Sequence, residues 1–205
     1  MRLTKQLLTR LAQSWAISGG LRIAALVLLV LSQSPVALAQ TSTAATVSVS
    51  ITGVEDELLS NVRGFLPLYR FNDKQAPSAG RLRYLHAQAE EKIREALAPY
   101  GYYRPKVAPT LEKVEGVWQA SYAIDLGDPI PVKKVDIKVS GEAQTDAAFT
   151  DALNTSPLKA GAPLLHENYE SLKQSFQVLA SQRGYFDAQL KKGEIRIDLK
   201  NYQAT

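Results

Sequence analysis

Cysteine is absent from all 205 residues. That excludes a disulfide framework, a thiolate metal site, a cysteine nucleophile and the lipid-anchoring cysteine of a bacterial lipoprotein. Histidine is nearly absent. His86 and His166 are the only two, and they lie 80 positions apart. Metal-ligand clusters need denser spacing, so neither a zinc site nor any other cofactor is expected. Basic charge is scarcer than the formal net of +4 implies. Residues 1–39 hold Arg2, Lys5, Arg10 and Arg22 and no acidic residue; the rest carries 20 basic side chains against 20 acidic ones. A neutral body offers no basic stripe for a phosphate backbone, which argues against a nucleic-acid partner.

The N-terminal segment reads as a secretory signal. Basic residues precede the nine-residue apolar run Ile23–Leu31, and Ala37-Leu38-Ala39 supplies a small-x-small cleavage pattern. Nine residues are too few to span a bilayer, which takes about 20 helical residues. The expected mature chain starts near Gln40 and works in the periplasm. Residues 40–46 are polar and small, and read as a disordered leader.

The remaining sequence repeats itself. Val47, Val49 and Ile51 alternate with serines and close at Gly53; Val135, Ile137 and Val139 alternate with polar residues and close at Gly141. Period-two β-branched residues predict half-buried strands. A short helix follows each. In the first, Leu58, Leu59, Val62, Phe65 and Leu66 share a face; in the second, Phe149 and Leu153 stand one turn apart. Then comes a longer amphipathic helix, through Leu82, Leu85, Ala89, Ile93, Leu97 and Tyr100 in the first set. In the second it runs through Leu165, Tyr169, Leu172, Phe176 and Leu179. Each long helix ends on the same signature, Gly101-Tyr102-Tyr103 and Gly184-Tyr185-Phe186. Glycine there supplies a left-handed C-cap, and the aromatic pair is expected to open the next strand.

The first set continues into a hairpin. A strand through Val107 and Leu111 turns at Glu115-Gly116 into one through Trp118, Ala120, Tyr122 and Ile124. Pro105 and Pro109 place the former at a sheet edge, because proline donates no ladder hydrogen bond. The latter then lies in the middle. In the second set Gly193 either turns a shortened hairpin or sits at a bulge in one strand from Phe186 to near Leu199. The latter reading is preferred, and it leaves the last strand missing.

The fold expected is therefore α+β, with two tandem β-α-α-β-β domains: 47–127, a linker at 128–131, and 132–205 with its last strand lacking. This order, with Ile93-Arg94-Glu95-Ala96-Leu97, Asn168-Tyr169-Glu170 and the two Gly-Tyr-aromatic steps, resembles the polypeptide-transport-associated (POTRA) domains. The same residues look like the first two such domains of the outer-membrane subunit of the translocation and assembly module, a relative of the barrel-assembly proteins. Members of that family continue into a membrane barrel. Nothing in this chain resembles lipid-facing strands, so it looks like an N-terminal portion or a truncated gene product.

The resemblance implies no catalysis. It implies a periplasmic scaffold for outer-membrane protein (autotransporter) assembly that binds polypeptide partners: the inner-membrane-anchored subunit of the module, and unfolded outer-membrane clients. A free-standing periplasmic chaperone or adaptor without a barrel is the alternative. No small-molecule substrate is implied. Partner strands would add to an exposed sheet edge, whose unpaired backbone groups demand little of the guest sequence. The candidate edge residues are Tyr103, Val107 and Leu111 in the first domain and Leu190, Ile195 and Ile197 in the second. Gly53, Gly101, Tyr102, Tyr103, Gly141, Gly184, Tyr185 and Phe186 are the structural signature, with the aromatics read as core and strand packing. Trp118 is expected to be buried between sheet and helices. His86 reads as a packed boundary histidine, His166 as part of a helix terminus, and the Glu90–Glu95 charge run as a solvated face.

Overall fold

A computed structural model describes residues 44–205; the expected signal segment, and the leader up to residue 43, lie outside them. Strand β1 (Thr46–Thr52) buries Val47 and half-buries Val49 and Ile51, while its serines and threonines face outward. It starts within the expected leader, and the Ala45 carbonyl accepts the Ala76 N–H at 2.7 Å, so that reading fails at the leader's last residues. Helix α1 (Asp56–Phe65) has acidic residues in its first turn and Arg63 in its last, which suits the helix dipole. It buries Val62, but Phe65 is exposed, against expectation.

A two-residue strand β2 (Lys74–Gln75) that periodicity did not reveal pairs antiparallel with Thr46 and Val47. The expected single long helix is two, α2 (Ala79–Ala87) and α3 (Ala89–Leu97), meeting at Gln88. The Ser78 side chain accepts the Arg81 N–H and caps the first. Leu82, Leu85, Ala89, Ile93, Ala96 and Leu97 are buried across the break, so the apolar face survives it.

β3 (Lys106–Val114) and β4 (Val117–Asp125) form the predicted hairpin. Glu115 and Gly116 both have positive φ, 49° and 86°, as a two-residue type I′ turn requires. The sheet order is β2-β1-β4-β3, with β1 and β4 parallel and β3 outermost, as the prolines indicated. Pro105 lies before the strand, however, so only Pro109 interrupts its donors. Ala120, Tyr122 and Ile124 of β4 join the helices' apolar faces in one core. Trp118 is only half-buried, against that core, and Arg83 and Lys113 sit over its ring.

The stretch expected to form a second domain keeps its helices and loses most of its expected strands. α4 (Ala147–Thr155) is capped by Asp146, whose carboxylate accepts the Ala148 N–H at 3.0 Å. α5 (His166–Gln182) buries Leu172 and Ala180, and Phe176 meets Phe149 edge-on at 5.4 Å. Residues 133–140 form no strand, although Val135, Ile137 and Val139 alternate as predicted. The reason is the partner. In the first domain β1 runs along all of β4, whereas among the described residues the segment after Val132 has only one parallel bridge, Val132 with Ala204. The expected strand from Phe186 to Leu199 is likewise absent, and Gly193 neither turns a hairpin nor sits at a bulge. Instead β5 (Ile197–Asp198) pairs with β6 (Gln203–Ala204) around a turn at Asn201 and Tyr202. A small second core joins Ile130, Val132, Leu164 and Ala204. The linker thus belongs to a packed unit, since Ile130 is fully buried.

Candidate polypeptide-binding edge and domain joint

Among the described residues no strand lies beside the outer side of β3. Val107 and Leu111 turn partly inward onto the core, so the edge offers backbone and the exposed side chains of Lys106, Thr110, Glu112 and Lys113. Charged residues on an edge discourage pairing with other copies while leaving the ladder groups accessible. A shallow depression of about 320 Å³ lies beside it, lined by Thr52, Lys106, Val107 and Asp125 among others. A second open stretch was not foreseen. Beyond Val47 no strand among the described residues pairs with the outer side of β1, and the Asn72 side-chain oxygen accepts the Val49 N–H at 2.7 Å.

The other candidate residues do not assemble into an edge. Tyr103 precedes β3 instead of opening it. Leu190 is exposed and outside any strand; Ile195 and Ile197 pack partly on the second core, and only Ile197 is in a strand.

The glycines divide by surroundings. Gly53 has φ 86°, and a Cβ there would stand 1.8 Å from the Ile124 carbonyl oxygen. Only glycine permits that approach between β1 and β4. Gly141, with φ 81°, lies in open space before a short 3₁₀ turn. Gly101 and Gly184 close identical helix ends. Tyr102 N–H reaches the Leu97 carbonyl at 3.3 Å, and Tyr185 N–H reaches the Ala180 carbonyl at 2.8 Å. Both are the six-to-one bond of a Schellman cap.

The aromatic residues after these caps go to different places. Tyr102 packs on the first core, and Tyr185 lies against Phe149 with ring centres 6.0 Å apart. Tyr103 crosses to the second core, where its hydroxyl pairs with His166 Nε2 at 2.7 Å. Burial lowers the pKa of His166, with Glu170 opposing, and raises that of the Tyr103 hydroxyl. The Ile130 N–H donates to the Gly101 carbonyl at 2.8 Å, and Leu164 N–H to the Ile130 carbonyl at 2.9 Å. Arg104 lies over the Tyr202 ring at 4.8 Å, and the Tyr202 hydroxyl donates to the Asp128 carbonyl at 2.6 Å. Sequence reasoning missed this joint; the short Gly-Pro linker was its only signal.

His86 is the packed boundary histidine the pattern indicated. Its Nδ1 lies 3.0 Å from the hydroxyl of buried Tyr122, and burial lowers its pKa. The charge run on α3 pairs within the helix, Arg94 with Glu90 and Lys92 with Glu95. Among the described residues no His, Asp or Glu cluster could hold a metal ion, and no helix is long and apolar enough to cross a membrane.

Residues 48–126 match the family model described as POTRA domain, TamA domain 1. Among solved structures the chain is similar to POTRA domains 3–5 of BamA from Haemophilus influenzae, at 17% identity and a TM-score of 0.37. That match covers 78% of this chain and 58% of the other. BamA from Haemophilus ducreyi lacking POTRA domains 1–3 matches at 19% identity and a TM-score of 0.37, over 78% of this chain and 28% of that one. POTRA domains 1–2 of the periplasmic domain of Omp85 from Anabaena match at 15% identity and a TM-score of 0.32, over 78% and 90%. The chain thus spans little more than half of the first of these structures and under a third of the second. The stretch that matches, residues 48–126, is the unit with the β-α-α-β-β order, and it is similar to the POTRA domain described as TamA domain 1.

Proposed function

We propose that the chain is a periplasmic polypeptide-binding scaffold for outer-membrane protein assembly, acting as the N-terminal arm of a barrel assembly factor of the autotransporter type. The observation that carries this reading is the open backbone edge of β3 on a domain of the TamA-1 type. An extended client would gain ladder hydrogen bonds there with little demand on its side chains. The match to a TamA domain also supports the inner-membrane-anchored subunit of the translocation and assembly module as the standing partner. Unfolded outer-membrane strands are the passing clients. The residues act as a template and perform no bond chemistry.

The test is binding by residues 40–205 of a soluble domain of that subunit and of unstructured outer-membrane strand peptides. Micromolar or tighter binding to either, weakened by added proline within β3, supports the reading. No binding to either up to about 1 mM, a bound near −4 kcal/mol, removes it.

A further inference from the structure

Charge balances from residue 40 onward, yet it is not spread evenly. Residues 58–89 carry Arg63, Arg70, Lys74, Arg81 and Arg83 against a single carboxylate, Asp73. Among the described residues none of these five cations is in an ion pair, whereas Lys92 and Arg94 of α3 both are. Three of the five lie over rings instead, Arg63 over Tyr69, Arg81 over Tyr84 and Arg83 over Trp118, which Lys113 also covers. A guanidinium stacked on a ring keeps its N–H edge free for an anion. The large apolar side chains that the first domain exposes, Phe65, Tyr84 and Val114, belong to the same region. Thr46 lies beside both Gln75 and Val117, and Val117 faces Val114, so β1 starts where the hairpin turns and where β2 leads into α2. The two most marked depressions among the described residues lie elsewhere, one along α5 and one beside Thr52 and Asp125 at the opposite end of the sheet.

A basic and aromatic surface without a hollow fits a flat anionic partner. The chain also enters the domain at this end. The Ala45 carbonyl accepts the Ala76 N–H, and Leu31, the last residue of the apolar run, stands 15 positions before Thr46. A chain of that length reaches about 50 Å at most. We propose that this end of the first domain docks on an anionic phospholipid surface, that of the membrane which the apolar run enters during export. The cations meet headgroups, and Phe65 and Tyr84 enter the interface. Asp73, Glu112 and Glu115 are the carboxylates at this end, set against six cations, so charge holds the contact and salt releases it. The proposal rests on the periplasmic reading above and makes no use of client binding at β3.

The test uses residues 40–205, because residues 43–205 form one compact unit and the apolar run would partition into lipid by itself. Trp118 is the only tryptophan in that stretch. Its fluorescence is followed on vesicles of phosphatidylcholine alone and of phosphatidylcholine mixed with phosphatidylglycerol, each carrying a headgroup-spin-labelled lipid. Quenching is expected on the anionic vesicles only, and it vanishes in about 1 M salt. Arg81→Gln with Arg83→Gln and Lys113→Gln weakens binding about tenfold or more, each cation being worth roughly fivefold at most. Lys133→Gln with Lys138→Gln and Lys191→Gln, the same change of charge elsewhere, weakens it less than about twofold. No preference for the anionic vesicles, anionic binding that leaves Trp118 unquenched, or equal losses in the two triple variants overturns the proposal. So does binding of a polyglutamate peptide without binding of vesicles, which assigns the surface to an acidic polypeptide. If the first triple variant does not fold, the unaltered chain decides: salt-sensitive quenching supports the proposal, and its absence overturns it. The vesicle result and peptide binding at β3 can each fail without the other.

Discussion

Val132 and Ala204 lie side by side in parallel, 72 positions apart, just as Thr46 and Val117 do at 71. The Lys133 N–H donates to the Ala204 carbonyl at 2.7 Å, and the Ala204 N–H to the Pro131 carbonyl at 2.9 Å. The second domain therefore begins its parallel pairing in nearly the register of the first. Ala204→Pro removes one of these donors. It is expected to cost about 1–3 kcal/mol and to speed amide exchange in the second domain, with residues 47–125 unaffected.

The same comparison predicts uneven protection along the chain. Amides of 134–140 have no ladder among the described residues, whereas β1 is paired with β4 along its length. Exchange at Asp136 and Lys138 should be several orders of magnitude faster than at Ser48 and Ser50, whose N–H groups face β4 while that of Val49 faces Asn72. Equal protection would show that 134–140 is paired in solution.

These residues also show what sequence can and cannot reveal. Alternation at 135–139 matches that at 47–51, yet only the latter is a strand, because a strand needs a partner as well as a pattern. The first domain was legible because its helix faces and hairpin turn are local signals. The break at Gln88 was not, since glutamine is an ordinary helix former. β2 is too short for any period to register. The β3 edge was readable through Pro109, whereas the joint was hidden because nothing local to Tyr103 announces that its ring belongs to the other core.

Gly53→Ala should be among the most damaging small substitutions. The added Cβ meets the Ile124 carbonyl at a backbone conformation that alanine disfavours. A loss of about 3 kcal/mol or more is expected in urea unfolding. Gly141→Ala, also at positive φ but in open space, should cost only about 1 kcal/mol.

Tyr103→Phe leaves His166 without its partner across the joint. A double-mutant cycle with His166→Leu should give a coupling of about 0.5–1.5 kcal/mol. Zero coupling would mean the pair contributes nothing to the joint.

Acid should destabilise the fold through both histidines. Burial lowers His86 and His166 below the ordinary value of 6.5, so the unfolded chain takes up protons first as pH falls. Their contribution is whole above about 6.5 and is lost as pH drops through 6.5 toward the lowered folded values. The urea midpoint should therefore be lower at about pH 5.5 than at pH 7.5. His86→Gln with His166→Gln should flatten that slope.

Client strands are proposed to pair with β3. The most direct measurement is a titration of isotopically labelled residues 40–205 with an unstructured outer-membrane strand peptide, followed amide by amide. Shifts are expected along Lys106–Val114, with slowed exchange there in the complex. Shifts confined to the outer side of β1 or to the second domain, with β3 unmoved, would contradict it.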